Sequence, residues 1–383
     1  MRIAFYSTMG GMPWGGSEEL WSRAAAVLLA RGHQVCVNYR RRRQLVAPLE
    51  KLRQLGAEVY WRRGALYGRS VRRVLEKLNL GQQPYARWLK HARPDFVLVS
   101  VGYHVDDVAI TQTCRLLGIP YGLVVQAASP YQFVEPRAYE GLRAAYGGAA
   151  RLYFVSGQNR DVLEANLALD LSDSEIVDNP FNMRADAAPA WPADDKLWKL
   201  ACVARIHFQS KAQDLLVDVL RRPKWRSRPL QVALWGHDGG NLRQVEALIA
   251  LHGLERQLVV AGFSNDIEAL WRDHHALILP SRFEGNALAM IEAMMCGRAP
   301  IVTNVGRVAE LVDDNRTGFI APAPTAELLD QALERAWQLR HEWKTMGALA
   351  AQTIRERHSQ RPAEDFAEAI LAAPRRAGLR AAA

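Results

Sequence analysis

Short apolar runs, many of them β-branched, alternate with longer amphipathic segments along most of the chain. This alternation is typical of parallel sheets covered by helices, and it predicts an α/β protein. In the first half it predicts strands near residues 2–6, 34–39, 96–101, 121–125 and 152–155. Helices are expected between these strands, including residues 17–30 and 106–117.

Residues 178–195 show neither a helical nor a strand period and are rich in Pro, Ala and Asp, which indicates a linker. The alternation then restarts. Two successive series of this kind predict two Rossmann-like domains, with a ligand cleft between the carboxyl ends of their sheets. Residues 325–383 are expected to form consecutive Ala-rich helices that are interrupted at Pro362. The strands of the second series are expected at residues 198–203, 231–235, 258–261, 276–279 and 300–303.

Length and composition agree with this division. A chain of 383 residues favours two domains, and 49% apolar with 23% charged residues exclude global disorder. The first residues lack the apolar run and cleavage site of a secretory signal, and no stretch has the roughly 18 apolar residues of a membrane span. We therefore expect a cytoplasmic protein. The four cysteines are widely separated and are expected to be free thiols.

Positive charge is concentrated in the first half of the chain. Between Arg40 and Arg93 there are 15 Lys and Arg residues and only three acidic residues. Such a segment attracts an anionic membrane, an anionic substrate or nucleic acid. A solvated basic surface without a partner explains the same charge equally well.

A glycine-rich loop follows the first predicted strand. It ends in Gly15 and Gly16, and Ser17 is expected to cap the next helix. Glycines let the backbone approach a ligand, and the N–H groups at a helix start attract phosphate, although a flexible surface turn is the alternative. Two observations argue against a nicotinamide cofactor site. The glycine spacing is not GxGxxG, and the second strand ends in Arg40, where nicotinamide enzymes often place an acid.

A second candidate loop follows the first strand of the second half. It contains Arg205 and Lys211, and Ser210 with Gln213 fits a capping box, so a helix is expected to begin at Lys211. A lysine at that position opposes the helix dipole, and such a conflict suggests a function. Two cations here would hold a diphosphate, although two solvated bases are the alternative.

A third segment carries two carboxylates, Glu284 and Glu292. Glu284 lies in a polar loop, whereas Glu292 lies inside an apolar helix expected at residues 287–296, with Gly297 as its stop. A carboxylate among apolar residues needs a partner, which sugar or ribose hydroxyls or a nearby arginine would supply. The two positions are poorly placed for the acid and base of a hydrolase.

Together these segments resemble the retaining nucleotide-sugar glycosyltransferases of family 4, which have the two-domain GT-B architecture. The resemblance covers nearly the whole chain and rests on the R-x5-K loop ARIHFQSK, the E-x7-E segment PSRFEGNALAMIEAMMCGRAPIVT, the early GGSEE and the downstream VGRVAELVDDNRTGFI. It implies two Rossmann-like domains facing a central cleft. The acceptor-side domain would span residues 1–180 and be joined by a C-terminal helix at 361–383, and the donor-binding domain would span residues 196–360.

The resemblance also implies roles for individual residues. Arg205 and Lys211 would bind the donor diphosphate and stabilise the departing nucleotide, Glu284 would face the donor sugar, and Glu292 would hold the ribose. The other implied donor-side residues are Gly15 and Gly16 beneath the diphosphate, Gly262, Phe263 and Ser264 beside the base, and the backbone of Gly285, Asn286, Ala287 and Leu288. No metal ion is expected, and no cofactor besides the nucleoside-diphosphate sugar donor.

One position departs from the family pattern. Many members carry a histidine after the fifth strand of the first domain, where this chain has Gln126. A glutamine donates and accepts hydrogen bonds but does not change charge near neutral pH, so it is not expected to act as a general base. His104, after the fourth strand, is the candidate substitute, and a surface or capping histidine is the alternative.

The sequence thus predicts a metal-independent, retaining glycosyltransferase of the cytoplasm that transfers a sugar to a hydroxyl of a glycan or lipid-linked acceptor. An anionic membrane surface is the candidate partner of residues 40–93, and no nucleic acid is expected. Two alternatives stay open: a nucleotide-sugar epimerase of the same architecture, and a noncatalytic protein that binds polyanions or nucleic acid.

Overall fold

The chain divides into two compact units, Met1–Pro180 with Arg361–Ala383 and Phe181–Gln360. We call them the first unit and the second unit. The structure, a computed structural model, describes residues 1–10, 14–41, 46–62, 83–106, 108–184, 186–193 and 196–381. Much of the basic segment and part of the glycine-rich loop therefore lie outside the described residues.

The first unit is built on a parallel sheet. Its strands are β1 Arg2–Ser7, β2 Gln34–Arg40, β3 Glu58–Arg62, β4 Phe96–Val101, β5 Tyr121–Val125, β6 Arg151–Phe154 and β7 Glu175–Ile176. Their order in the sheet is β3-β2-β1-β4-β5-β6-β7. Every pairing is parallel, and in the register Ile3 lies opposite Val35 on one side and Phe96 on the other. The described helices of this unit are α1 Gly16–Ala30, α2 Ala47–Gln54, α3 Gln83–Ala92, α4 Ile110–Leu116, α5 Pro136–Gly147, α6 Gly157–Leu167 and, from the C-terminal segment, α16 Pro362–Ala381.

Successive side chains of a strand point to opposite faces of a sheet. Both faces of this sheet are apolar, and helices cover both of them. Along β1, Ile3 and Phe5 belong to one apolar cluster, whereas Ala4 and Tyr6 belong to the other. The first cluster includes residues of α1 and of α16, the C-terminal helix. Tyr153 of β6 makes an edge contact with a ring of α16, and its hydroxyl donates to the carbonyl of Ala369 (3.0 Å).

The second unit repeats the architecture. Its strands are β8 Trp198–Val203, β9 Leu230–Trp235, β10 Leu258–Gly262, β11 Ala276–Leu279, β12 Ala299–Thr303 and β13 Phe319–Ala321. They form a parallel sheet in the order β10-β9-β8-β11-β12-β13. The helices are α7 Phe208–Lys211, α8 Gln213–Leu220, α9 Pro223–Arg226, α10 Leu242–His252, α11 Ile267–Arg272, α12 Leu288–Met295, α13 Val308–Leu311, α14 Ala326–Gln338 and α15 Trp343–Arg357, with a 3-10 turn at Arg340–Glu342.

The prediction of an α/β protein with two Rossmann-like halves and C-terminal helices is confirmed. The ten predicted strands are present, but β3, β7 and β13 were not predicted. The helix expected at residues 106–117 begins only at Ile110, because the Asp106 carboxylate accepts the backbone N–H of Tyr103 (3.0 Å) and holds this segment in a turn. Asp107 lies outside the described residues.

All four cysteines are buried and free, as predicted. Among the residues that the structure describes, no helix is both long and apolar enough to cross a membrane.

Candidate functional site

The loop after β8 carries Arg205 and is fixed from inside the protein. The buried Gln213 side chain donates to the carbonyl of Arg205 (2.8 Å) and accepts the backbone N–H of His207 (3.2 Å). Gly236, at the end of β9, lies so close to this loop that a Cβ there would stand 2.1 Å from the carbonyl of Ala204. The Arg205 loop is therefore held in one conformation by neighbours on two sides.

The capping box that was expected here is absent, and the prediction that a helix begins at Lys211 was wrong. The helical turn α7 begins at Phe208, and Lys211 is its last residue. Ser210 Oγ pairs with His207 Nδ1 (2.8 Å) instead of capping, and Ala212 adopts a left-handed conformation with a φ of 53° before α8. Because Lys211 does not lie at a helix start, the supposed conflict with the helix dipole gives no evidence of function.

Lys211 and Glu284 form an ion pair. The Lys211 ammonium group donates a hydrogen bond to Glu284 Oε1, which also accepts the Ser281 hydroxyl (2.8 Å). The side chains of Lys211 and Glu284 are only 19% and 11% exposed, so the pair is largely shielded from water. The structure thus brings together the candidate diphosphate cation and the candidate sugar-facing carboxylate.

Arg282 fastens the loop after β11 to the loop after β8. Its guanidinium group donates two hydrogen bonds to the Asp214 carboxylate (2.8 and 2.6 Å), and its backbone N–H donates to the carbonyl of Ser210 (2.9 Å). Such a bidentate contact fixes orientation as well as distance. Arg282 was not among the predicted site residues, although it lies two residues before Glu284 in the segment that carries the resemblance.

The turn after β12 packs against the loop that carries Glu284. A Cβ at Gly306, whose φ is +63°, would stand 2.3 Å from the carbonyl oxygen of Gly285. The Thr303 hydroxyl donates to the carbonyl of Ser281 (2.5 Å). Only a glycine fits at position 306, and the backbone around Gly285 is thereby held in place.

Glu292 lies inside α12, as predicted, and its side chain is buried. Its Oε1 accepts the backbone N–H of Asn182 (2.9 Å), a residue of the irregular segment at the start of the second unit. The segment that was predicted as a linker therefore supplies a partner for the buried carboxylate.

The residues expected beside the base lie at the end of β10 and directly after it. Gly262 has a φ of +86°, and its carbonyl accepts the backbone N–H of Gly236 (2.6 Å). The Phe263 ring is 52% exposed and stacks on the exposed His237 ring at 3.9 Å between centroids. The Ser264 hydroxyl pairs with the backbone of Asp266. The stacked rings give this edge a flat aromatic surface that sequence analysis did not identify.

The remaining donor-side candidates of the second unit lie at the start of α12. Gly285 and Asn286 are buried in the loop, Ala287 is the N-cap residue, and Leu288 is the first residue of the helix. Ala287 has no side-chain hydrogen bond to the helix start. The expected helix bounds of 287–296 are close to the observed ones.

In the first unit the glycine-rich loop leads into α1, but Ser17 is not its cap. Gly15 is the N-cap residue and Gly16 the first residue of the helix, with no side-chain cap. Glu18, in the first turn of α1, is completely buried. Its carboxylate accepts the Trp21 indole N–H (3.1 Å). Burial raises the pKa of Glu18 to about 7.

The two acceptor-side candidates lie after adjacent strands of the first unit and are both buried. Gln126 Oε1 accepts a hydrogen bond from the Asn179 side chain (3.1 Å), a residue of the predicted linker. The backbone N–H of His104 donates to the carbonyl of Ala127 (3.0 Å). His104 Nε2 lies 2.9 Å from the carbonyl oxygen of Gln132, and burial lowers the pKa of this imidazole. The alternative interpretation of His104 as a surface histidine is therefore wrong.

The basic segment is only partly described. Arg62 at the end of β3 is used inside the unit: its guanidinium group donates to the carbonyl of Ser7 (2.5 Å) and to the Asn38 side chain (2.9 Å). The basic residues at positions 42, 43, 63, 69, 72, 73 and 77 lie outside the described residues. Across the described ranges, no group of three or more His, Cys, Asp or Glu side chains is arranged to hold a metal ion.

Comparison with known families gives a match to the second unit. Residues 183–352 match the model of the family Glycosyl transferases group 1. Residues 183–352 are therefore similar to the glycosyl transferases group 1 domain. This segment holds Arg205, Lys211, Glu284 and Glu292, so the candidate donor-side residues, apart from Gly15 and Gly16, fall inside it.

Curated relatives of the chain include a glycogen synthase of Pseudomonas syringae pv. syringae, 31% identical over 170 residues, which are 44% of this chain and 32% of that protein. Alpha-D-kanosaminyltransferase of Streptomyces kanamyceticus is 25% identical over 244 residues, 58% of this chain and 62% of that protein. The chain thus spans less than two thirds of the length of either relative.

Solved structures have a similar fold over nearly the whole chain. HepE of Anabaena, solved in complex with UDP, has a TM-score of 0.73 at 17% identity and covers 97% of this chain and 100% of its own. Sucrose-phosphate synthase of Thermosynechococcus elongatus has a TM-score of 0.72 at 17% identity, with 100% of both chains covered. Both units therefore have the Rossmann-like folds found in GT-B glycosyltransferases.

Proposed function

We propose that the protein is a retaining, metal-independent glycosyltransferase of family 4 that moves a sugar from a nucleoside-diphosphate donor to a hydroxyl acceptor. The observation that carries this proposal is the shielded Lys211–Glu284 ion pair at the carboxyl edge of the second sheet. Ligands of such sheets bind at this edge. The match to the group 1 family and the glycosyltransferase names of two relatives support it.

The reaction requires a nucleoside diphosphate to leave the anomeric carbon, and its charge increases as the bond breaks. Lys211, which is largely shielded from water, would stabilise that charge together with the exposed Arg205, and a cation acts most strongly where water is excluded. The Gln213 side chain fixes the backbone of Arg205, and the Arg282–Asp214 contact fixes the loop after β11 against this segment. In this proposal the two cations take the place of a metal ion.

The remaining donor contacts follow from the same edge. Glu292, whose carboxylate already accepts one backbone N–H, would hold the ribose hydroxyls. The flat surface of Phe263 and His237 would lie beside the base, and the N–H groups of the first turn of α12 would face the diphosphate. Glu284 would bind the donor sugar once Lys211 turns to the diphosphate.

In the first unit, Gly15 and Gly16 would lie beneath the diphosphate. Gln126 and His104 are proposed to face the acceptor and the donor sugar. Burial lowers the pKa of His104 and so favours the neutral imidazole, the form that would accept a proton from an acceptor hydroxyl. The acceptor would be a glycan or a lipid-linked sugar.

The cytoplasmic location and a contact of residues 40–93 with an anionic membrane remain part of this proposal. Sedimentation with vesicles of neutral and of anionic lipids tests the contact. Binding to anionic vesicles that weakens with salt supports it, and equal sedimentation with both kinds contradicts it.

Turnover of a nucleotide sugar by three alanine variants tests the proposed function. Lys211→Ala and Arg205→Ala should each reduce kcat by about 10²-fold, the scale of a lost preorganised contact to developing charge. Arg221→Ala, which removes a cation at the far end of α8, should keep normal turnover. Uridine donors come first, because HepE has been solved with UDP-glucose. Full activity of both Lys211→Ala and Arg205→Ala would refute the proposal.

A further inference from the structure

Asn286 is a buried amide without a partner. Its side chain is 7% exposed, and both Nδ2 and Oδ1 are buried without any hydrogen bond. Folded proteins rarely leave both ends of a buried amide unpaired, because the loss of hydration is then uncompensated. An unpaired buried amide does not by itself identify a ligand site, because Asn159 of the first unit is buried in the same way. The location of Asn286 is what distinguishes it.

The location of Asn286 links it to the candidate donor site. It lies two residues after Glu284, whose carboxylate pairs with Lys211, and directly before Ala287, the N-cap residue of α12. The backbone of this loop is fixed by the close approach of Gly306. The amide of Asn286 is thus placed by a rigid loop at the same edge of the sheet as the ion pair.

Helix capping does not explain this asparagine. An asparagine near a helix start ordinarily caps the first N–H groups. Here the cap residue is Ala287, no side chain caps α12, and the Asn286 amide makes no hydrogen bond to the helix. A structural reason for the side chain is therefore missing.

We propose that the Asn286 amide hydrogen-bonds a hydroxyl group of the donor sugar and selects donors that carry it. This inference rests on the proposed function and adds a specificity-determining residue to it. A sugar hydroxyl both donates and accepts a hydrogen bond, so one hydroxyl or a vicinal pair satisfies both ends of the amide. A site built to pair with a hydroxyl rejects a deoxy analogue, because the protein group is then left unpaired.

The test compares affinities for a nucleoside diphosphate with and without its sugar. Thermal shift with uridine, guanosine and adenosine diphosphates first identifies the base. Calorimetry then gives the Kd of that diphosphate, of its glucose conjugate and of a series of deoxyglucose conjugates. For the wild type, at least one deoxy analogue should bind about tenfold more weakly than the parent sugar, which is the effect of one lost hydrogen bond.

Asn286→Leu removes both polar atoms at similar volume. It should abolish the preference against that deoxy analogue and raise the Kd of the parent conjugate about tenfold, while the Kd of the bare diphosphate changes less than about twofold. Asn286→Ser provides a second variant if the leucine is not tolerated. Its shorter side chain should also lose the preference.

Asn159 offers a matched control. It lies in the first turn of α6 in the first unit, is completely buried, and also has both amide atoms without a partner. Asn159→Leu should leave the sugar preference intact. An equal loss of preference in Asn159→Leu would overturn the inference, because the loss would then reflect a general change in the fold.

The outcomes separate the two levels of the proposal. If the wild type binds none of the nucleoside diphosphates, the proposed function fails and this inference fails with it. If the wild type binds the diphosphate but Asn286→Leu keeps the same preference among sugars, the inference alone is overturned. The Asn286 amide would then hold an ordered water.

Discussion

The Lys211 ammonium group donates a hydrogen bond to Glu284 Oε1, so a candidate diphosphate cation is already paired with a carboxylate. A diphosphate that binds Lys211 must compete with Glu284 for it. This competition need not weaken the donor complex, because the sugar hydroxyls of a donor give Glu284 new partners. A free nucleoside diphosphate has no sugar and gives Glu284 none.

Glu284→Gln should therefore bind the free nucleoside diphosphate more tightly than the wild type does, by about three- to tenfold, because Lys211 loses its counter-charge. Sugar transfer should fall in the same variant. Calorimetry of diphosphate binding and a turnover assay measure the two effects. In a Lys211→Met background the gain in affinity should vanish, and a gain that persists there would show that the ion pair is not its cause.

Of the Lys211–Glu284 ion pair, only Glu284 was predicted for a reason that the structure supports. The E-x7-E spacing identified Glu284 and Glu292, and the observed α12 agrees with the expected helix within a residue at each end. The prediction of a helix start at Lys211 was wrong, because Ser210 and Gln213 bond to His207, the N-cap residue of α7, and Lys211 is the last residue of that helix. A local pattern of polar residues does not reveal which of several nearby groups each side chain will bind.

Gly306→Ala should weaken donor binding without removing any candidate ligand-binding side chain. The new Cβ would stand 2.3 Å from the carbonyl of Gly285, and the φ of +63° adds a strain of about 1 kcal/mol. The loop before α12 must shift, so the Kd for a nucleotide sugar should rise about tenfold or more.

Gly318→Ala is the comparison for Gly306→Ala. Its Cβ would stand 2.6 Å from the carbonyl of Pro300, within the pairing of β12 and β13. It should lower stability without a selective effect on donor binding. Equal Kd changes in both variants would contradict the role given to the turn after β12.

The fold was predictable where strands are buried inside a sheet. The predicted strands include β1, β4, β8 and β11, which are interior strands with continuous apolar runs. The three unpredicted strands, β3, β7 and β13, all lie at sheet edges. These three strands are short or partly exposed, so their sequences lack the apolar run that identifies an interior strand, whereas the edge strand β10 has such a run and was predicted.

Stability of the second unit should depend on an ion pair away from the candidate site. Arg228 donates two hydrogen bonds of 2.8 Å to the Glu334 carboxylate, and this contact lowers the pKa of Glu334 to about 2. Because the pKa is below its ordinary value of 4.5, the stabilisation is present above pH 4.5 and is lost as pH falls toward 2.

Glu334→Gln should therefore lower the free energy of unfolding by about 1–2 kcal/mol at pH 7, with allowance for partial exposure of the pair. The difference from wild type should shrink below pH 4. Tryptophan fluorescence during urea unfolding measures the stability, and Trp225, whose ring lies 4.3 Å from the Arg228 guanidinium, is one of the 11 tryptophans that contribute. Glu327→Gln, which removes a mostly exposed carboxylate, should change stability little. A pH-independent difference between Glu334→Gln and wild type would contradict the assignment.

The buried Glu18 should make the first unit less stable as pH rises. Burial raises its pKa from 4.5 to about 7, so between these values the folded unit binds a proton that the unfolded chain does not. The stabilisation is complete below pH 4.5 and is lost as pH rises through 7.

Hydrogen exchange of residues 16–30, corrected for the intrinsic pH dependence of exchange, measures the local stability of α1. Glu18→Gln keeps the side chain neutral at every pH. The variant should match the wild type near pH 4.5 and exceed it by a few kcal/mol at pH 8, whereas parallel pH profiles for the two proteins would show that Glu18 is ionised throughout.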